Sequence, residues 1–256
     1  MSKIALIGRD IEFTRSTLVH AAIGMAIGRS IECDVFDVKF DELKNTIDRL
    51  LETYDGFFVT KPYKTEMKRY LDCGSSVNLV RSADKAAFNT DGVGFIRALD
   101  GSFDDWRNRI KSALVLGAGG AAYSVASALI AEGKGVYVLN RSAINGVRLC
   151  KTTGAKLYSN EPCEMIVNCT PLGENGEDVL KALCVLPDFK YAFDLVYRND
   201  GRTPFLRRCG ACGAQTCDGS DMLIYQAIEG DRLLFGDDFD EKRVFEFVTE
   251  YLKNEV

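Results

Sequence analysis

Histidine is almost missing from this sequence: 256 residues contain one, His20. Chemistry built on a histidine base therefore rests on that residue or does not occur. His20 lies among apolar neighbours in a helical pattern from Ser16 to Gly28, where a packed or surface histidine is the commoner reading. A block of one charge sign is missing too. The 32 basic and 37 acidic residues are intermingled and leave a net charge of −5, so nucleic acid, which needs a basic footprint, is not an expected partner. The first ten residues carry only a short apolar run before Gly8 and two charges, which reads as a first strand and not as an export signal. Nine cysteines without such a signal fit reduced thiols in the cytoplasm better than a disulfide framework. Cys209, Cys212 and Cys217 form the one tight cluster. A zinc site wants a fourth ligand nearby and none follows, so no metal is expected and these read as ordinary thiols beside a glycine turn.

Long apolar runs are also scarce. The stretch from Ser112 to Ala131 has no charge and satisfies the length rule for a membrane span. Gly117, Gly119 and Gly120 cut it into a short apolar strand and a small-residue helix, which is how a phosphate-binding turn is written, so no membrane partner is expected.

What is present is alternation. The length gives a prior of about 1.7 domains. The first ninety residues read as strand Lys3–Gly8, helix Ser16–Gly28, strand Ile31–Val38, helix Asp41–Tyr54 and strand Gly56–Thr60, a rhythm that implies a mostly parallel sheet covered by helices. Asp41 is placed to cap its helix, whose Leu43, Ile47, Leu50, Leu51 and Tyr54 share one apolar face. A polar stretch from Asp100 to Lys111 breaks the pattern and marks a junction. A second series follows, with strands Ala113–Leu116, Gly135–Asn140, Lys156–Tyr158, Met165–Cys169, Tyr191–Val196 and Ala214–Cys217, the rhythm of a doubly wound Rossmann domain. The expected fold is α/β: a mixed α/β domain over 1–99, a Rossmann domain over 100–220, and C-terminal helices over 221–256 that pack back on the first domain.

The run Gly117-Ala118-Gly119-Gly120-Ala121-Ala122 follows the G-x-G-x-x-A form between an apolar strand and a helix. Glycines there permit a tight turn and close approach of the backbone to a pyrophosphate, and the helix start offers N–H groups and the positive end of its dipole. The plainer alternative is a turn that only packs strand on helix. The next strand ends at Asn140-Arg141-Ser142, where an NAD-binding domain carries an acid for the ribose hydroxyls. A neutral side chain, a guanidinium fork and a hydroxyl suit a 2′-phosphate instead, which favours NADP.

With histidine set aside, the candidates for proton transfer are Lys64, in Val59-Thr60-Lys61-Pro62-Tyr63-Lys64, and Asp91, in Asn89-Thr90-Asp91-Gly92. Both segments leave regular structure abruptly, at the strand ends where α/β sheets place ligands. Read singly, Lys64 is equally a solvated lysine and Asp91 a cap or turn former. Read as a pair, they can hold a hydroxyl and pass its proton while hydride leaves the same carbon.

Seven segments, 59–64, 89–92, 117–122, 140–142, 168–173, 194–197 with 203–204, and 219–226, together resemble the shikimate dehydrogenase family and stand in its order along nearly the whole chain. The resemblance implies a two-domain enzyme that reversibly reduces 3-dehydroshikimate to shikimate with NADPH, in aromatic amino acid biosynthesis. By matching, Lys64 and Asp91 are the catalytic pair. Thr60, Asn78 and Gln226 bind the ring hydroxyls, and Tyr197 lies beside the carboxylate. Asn140, Arg141 and Ser142 clamp the NADP phosphate, Thr170 belongs to the cofactor site with the Gly117–Ala121 turn, and Gly219 lies against the nicotinamide. The family's carboxylate-binding serines stand here as Thr14 and Ser16, between Phe13 and Thr17, so one hydroxyl has gained a methyl. Phe58 replaces an asparagine, Lys61 an apolar residue, and Leu79 follows Asn78 where threonine is usual. These departures keep two alternatives open: a dehydrogenase for quinate or another cyclic hydroxy acid, and a non-catalytic NADP(H)-binding protein. The expected partners are small molecules, with the chain a monomer or homodimer.

Overall fold

The computed structural model describes residues 1–11, 14–185, 188–198 and 202–255. Two compact units divide the chain: Met1–Gly94 with Leu223–Val256, and Phe95–Met222. In chain order the elements are β1 (Ser2–Gly8), α1 (Ser16–Ile27), β2 (Ile31–Asp37), α2 (Leu43–Thr53), β3 (Gly56–Val59), β4 (Leu79–Arg81), β5 (Ala86–Phe88), α3 (Asp91–Ser102) and α4 (Trp106–Arg109). There follow β6 (Ser112–Leu116), α5 (Gly120–Ala131), β7 (Gly135–Leu139), α6 (Ala143–Thr153), β8 (Lys156–Leu157), β9 (Met165–Asn168), α7 (Val179–Ala182), β10 (Tyr191–Asp194), α8 (Pro204–Ala211), β11 (Gln215–Asp218), α9 (Ser220–Phe235) and α10 (Glu241–Asn254).

The first unit is built on a five-stranded mixed sheet of order β2-β1-β3-β4-β5. β1 runs parallel to β2 and β3, while β4 is antiparallel to β3 and β5. Successive side chains of a strand point to opposite faces, and both faces here are covered. Ile4 and Leu6 pack with Phe58 and Leu79 on one side. Ala5 and Ile7 pack with Phe57, Val59 and Val80 on the other, against Leu43, Ile47 and Leu50 of α2. Burial on both sides explains why β1 and β3 read as continuous apolar runs. Val19 and Ile23 of α1, Ile224 and Ile228 of α9, and Val244 and Val248 of α10 form a separate helical cluster in the same unit.

Two expectations need correction here. Asp41 does not cap α2: the helix begins at Leu43, Glu42 precedes it without a side-chain cap bond, and Glu42 instead accepts from the Lys39 N–H. The sheet expected to be mostly parallel is mixed, because β4 and β5 form an antiparallel hairpin whose three-residue strands are too short to show a period of two.

The second unit holds a six-stranded, all-parallel sheet of order β11-β10-β9-β6-β7-β8, the doubly wound arrangement expected. Ala113 and Val115 pack to one face with Val125, Leu129 and Phe193, and Leu114 and Leu116 to the other with Phe205 and Leu206. The register aligns Leu139, Leu116, Asn168, Asp194 and Asp218 in one row across the sheet. Residues one position further on, Asn140, Gly117, Cys169, Leu195 and Gly219, therefore emerge together at the carboxyl edge. The order reverses between β6 and β9, so this edge is the switch point where such sheets bind ligands. The polar stretch 100–111 packs within this unit: Phe103 and Trp106 are buried in its core, the Trp106 indole N–H donates to Asp100 (2.8 Å), and the Arg107 guanidinium and Lys134 lie over the ring. Its polarity belongs to the solvent side of a packed segment. Among the described residues no helix is long and apolar enough to cross a membrane.

Candidate active site

In the first unit, Lys64 sits in a one-turn 3-10 segment, Tyr63–Thr65, directly after β3. That segment is tied down on both sides: the Thr60 N–H donates to Ile7, Arg9 donates to Lys61, and Val77 donates to the Lys64 carbonyl. Asp91 opens α3 and is 3% exposed. The Lys64 Nζ donates to Asp91 Oδ2 at 2.6 Å, with the lysine side chain 16% exposed and the aspartate 4%. A charge-assisted bond this short, largely shielded from water, fixes both groups. The other carboxylate oxygen, Oδ1, accepts from the Asn78 amide at 3.0 Å. The same amide nitrogen lies 2.9 Å from Thr90 Oγ1 and 3.2 Å from Gln226 Oε1, and Asn78 Oδ1 accepts the Thr90 N–H. Lys64, Asp91, Asn78 and Gln226 are thus one connected polar cluster, gathered from the 3-10 turn after β3, the start of α3, the residue before β4, and α9. Thr60 stands at the end of β3, half-buried. Thr14 and Ser16 form a separate local pair at the start of α1, where the Thr14 hydroxyl donates to Ser16 Oγ (3.0 Å) and accepts the Ser16 N–H (3.2 Å). Phe13 lies outside the described residues.

In the second unit, the β6–α5 turn carries Gly117, Ala118, Gly119, Gly120 and Ala121. Gly117 has φ +110°, and a Cβ there would meet Cys169 backbone and the Thr170 methyl at 3.1–3.2 Å. Gly119, in contrast, has open space where a Cβ would stand, and no side chain caps α5. A bare backbone at a helix N-terminus, with room in front of it, suits a phosphate group. Asn140 donates to the Ser142 carbonyl (2.9 Å), Arg141 is exposed, and Ser142 leads into α6 without a side-chain cap bond. These residues fit a dinucleotide carrying an extra phosphate: an unblocked helix start for the pyrophosphate, and a guanidinium at the end of β7 with no acid beside it. Gly219 is buried, and a Cβ would fall 2.2 Å from the Leu195 carbonyl, so only glycine lets β11 turn so close to the end of β10. Tyr197 is half-buried on the loop after β10.

Two buried groups have partners that lie far off in the sequence or outside its motifs. The His20 Nδ1 meets both oxygens of Asp231 at 2.9 and 3.0 Å, the pair being 1% and 0% exposed, and the imidazole lies 4.3 Å from the Phe58 ring. Burial pushes the Asp231 carboxyl up, and the neighbouring His20 opposes the shift. The one histidine is therefore a packed residue. The second group is Asp194, fully buried at the end of β10. Of the clustered thiols, Cys209 is buried, Cys212 exposed, and Cys217 lies 3.0 Å from the Ser102 hydroxyl.

Fold and site define a class: a two-unit α/β dehydrogenase with a doubly wound nucleotide unit and a lysine–aspartate pair in the other unit. Residues 6–84 match the shikimate dehydrogenase substrate binding domain. Over 246 residues, 88% of this chain and 90% of the relative, the sequence is 32% identical to the NADP(+) shikimate dehydrogenase of Methanocella arvoryzae. It is also 32% identical to that of Moorella thermoacetica, across 87% of this chain and 84% of the relative. The fold superposes on the Thermus thermophilus shikimate 5-dehydrogenase solved with NADP(H) and shikimate with a TM-score of 0.85, at 28% identity, covering 98% of this chain and all of that one. The chain belongs to the shikimate dehydrogenase family.

Proposed function

We propose that this chain is an NADP-dependent shikimate dehydrogenase, reducing 3-dehydroshikimate to shikimate and running in reverse, with Lys64 and Asp91 as the proton-handling pair. The observation that carries the reading is the 2.6 Å contact between Lys64 and Asp91, its carboxylate held on the far side by Asn78. When bound, NADPH supplies the hydride. In reduction, Lys64 gives a proton to the carbonyl oxygen as it becomes an alkoxide, and Asp91 keeps the ammonium aimed and stabilised. In oxidation, the Lys64–Asp91 pair takes the hydroxyl proton. Asn78, Gln226 and Thr60 present amide and hydroxyl groups for ring hydroxyls, and Thr14 and Ser16 offer two hydroxyls near the start of α1 for a carboxylate. Tyr197 is assigned to the same substrate by family resemblance. Gly117 to Ala121, with Thr170, cradle the pyrophosphate. Asn140, Arg141 and Ser142 receive the 2′-phosphate, and Gly219 keeps the nicotinamide side free of a side chain. The same reading makes this a cytoplasmic monomer or homodimer whose partners are small molecules.

Mixing the protein with shikimate and NADP and following nicotinamide absorbance tests the reading: steady turnover supports it, and none at high enzyme concentration rejects it. The added methyl of Thr14 favours a second substrate, quinate, and the ratio of kcat/KM for the two acids decides between them.

A further inference from the structure

Asp194 ends β10 with no exposure to solvent, as does Asn168 at the end of β9 beside it. The Asp194 carboxylate receives three donors. Oδ1 accepts from the Asn168 amide at 2.8 Å and from the Val196 N–H at 3.0 Å, and Oδ2 accepts from the Thr203 hydroxyl at 2.6 Å. Every donor is an N–H or O–H, so the set suits an anion. A proton on Oδ2 would face the hydrogen of the Thr203 hydroxyl, which also accepts the Leu206 N–H as the cap of α8, and the hydroxyl would have to turn its hydrogen away.

The network continues toward the nucleotide turn. Asn168 also donates to the Leu172 carbonyl at 3.0 Å, and its Oδ1 accepts from the Thr170 N–H at 3.0 Å and the Thr170 hydroxyl at 2.7 Å. The Thr170 methyl and the Cys169 backbone are the atoms packed against Gly117. In the other direction, the Val196 N–H precedes Tyr197 by one residue.

We propose that Asp194 is a positioning residue for the cofactor: its ionised carboxylate fixes the loops after β9 and β10, and through Asn168 and Thr170 the Gly117 turn, in the arrangement that binds NADPH. This rests on the assignment of that turn to NADP(H). Burial pushes the Asp194 carboxyl up to about 7, against the three hydrogen bonds that favour its charged form, and Asp218 on β11 pushes in the same direction as burial. Among the described residues a second ionisable neighbour is the Cys209 thiol on α8, itself held neutral by burial at about 12. Asp194 therefore changes charge near neutrality, and the loops it organises loosen on the acid side.

The test is the ratio of NADPH dissociation constants, Asp194→Asn over wild type, read from the fluorescence of bound NADPH across about pH 5.5 to 8.5. Taking a ratio cancels titration of the nucleotide's own 2′-phosphate. The expected ratio is near one at the acid end and rises to about tenfold at the alkaline end with a midpoint near neutrality, the loss of a bond to a charged group. Should Asp194→Asn not fold, Thr203→Val and Thr203→Ser serve. The valine removes a donor to the charged form and moves the wild-type midpoint upward, while the serine leaves it in place. A ratio independent of pH, or equal midpoints for the valine and serine variants, overturns the proposal. Absence of saturable NADPH binding by the wild type at any pH overturns the cofactor assignment itself, and the proposal with it.

Discussion

At Arg141 the choice between the two nicotinamide cofactors reduces to one side chain. It is exposed at the end of β7, where a carboxylate would accept from a ribose and would repel a phosphate. A guanidinium is always charged and offers a planar fork to phosphate oxygens. Arg141→Ala is expected to raise the KM for NADPH by about tenfold or more, the scale of a charged hydrogen bond, and to leave NADH nearly unchanged. Steady-state kinetics with both nucleotides checks this, and equal losses for the two would remove the phosphate assignment. Lys64 and Asp91 illustrate the limit of single residues: each alone is a loop lysine or a helix-start aspartate, the family resemblance pairs them, and the 2.6 Å contact gives the pair its geometry.

Between elements, the buried His20–Asp231 pair joins α1 to α9, across 211 residues of sequence. Removing the imidazole leaves the buried Asp231 carboxyl without the partner that both of its oxygens meet. His20→Ala is expected to lower unfolding stability by about 3–5 kcal/mol, measured by urea denaturation at neutral pH, and a loss under about 1 kcal/mol would show that the pair contributes little to joining the helices. Such pairs are invisible to a sequence reading, which relates neighbours a few positions apart. Asn78 and Gln226, 148 apart, meet for the same reason only in the folded chain. What the sequence did disclose is governed by local rules: the buried strands β1, β3, β6 and β9 from continuous apolar runs, and the Gly117 turn from glycines between a strand and a helix. The β4–β5 hairpin escaped because three residues carry no period. The polarity of residues 100–111 says nothing of the packing of Phe103 and Trp106, both 2% exposed, which only the folded unit makes.

Across the whole molecule, the two units divide the labour. Residues 1–94 with 223–256 form the unit that holds Lys64, Asp91, Asn78 and Gln226, and residues 95–222 form the unit that holds the Gly117 turn and Arg141. Each has its own sheet and its own core. A lesion confined to the proton-handling pair should then leave nucleotide binding intact. The direct test is Lys64→Ala beside the wild type, with kcat for shikimate oxidation by NADP and the dissociation constant for NADPH measured on the same preparations. The expected result is a kcat lower by about two to four orders of magnitude with the NADPH constant unchanged within about twofold. A kcat equal to that of the wild type would contradict it and assign the proton to another group.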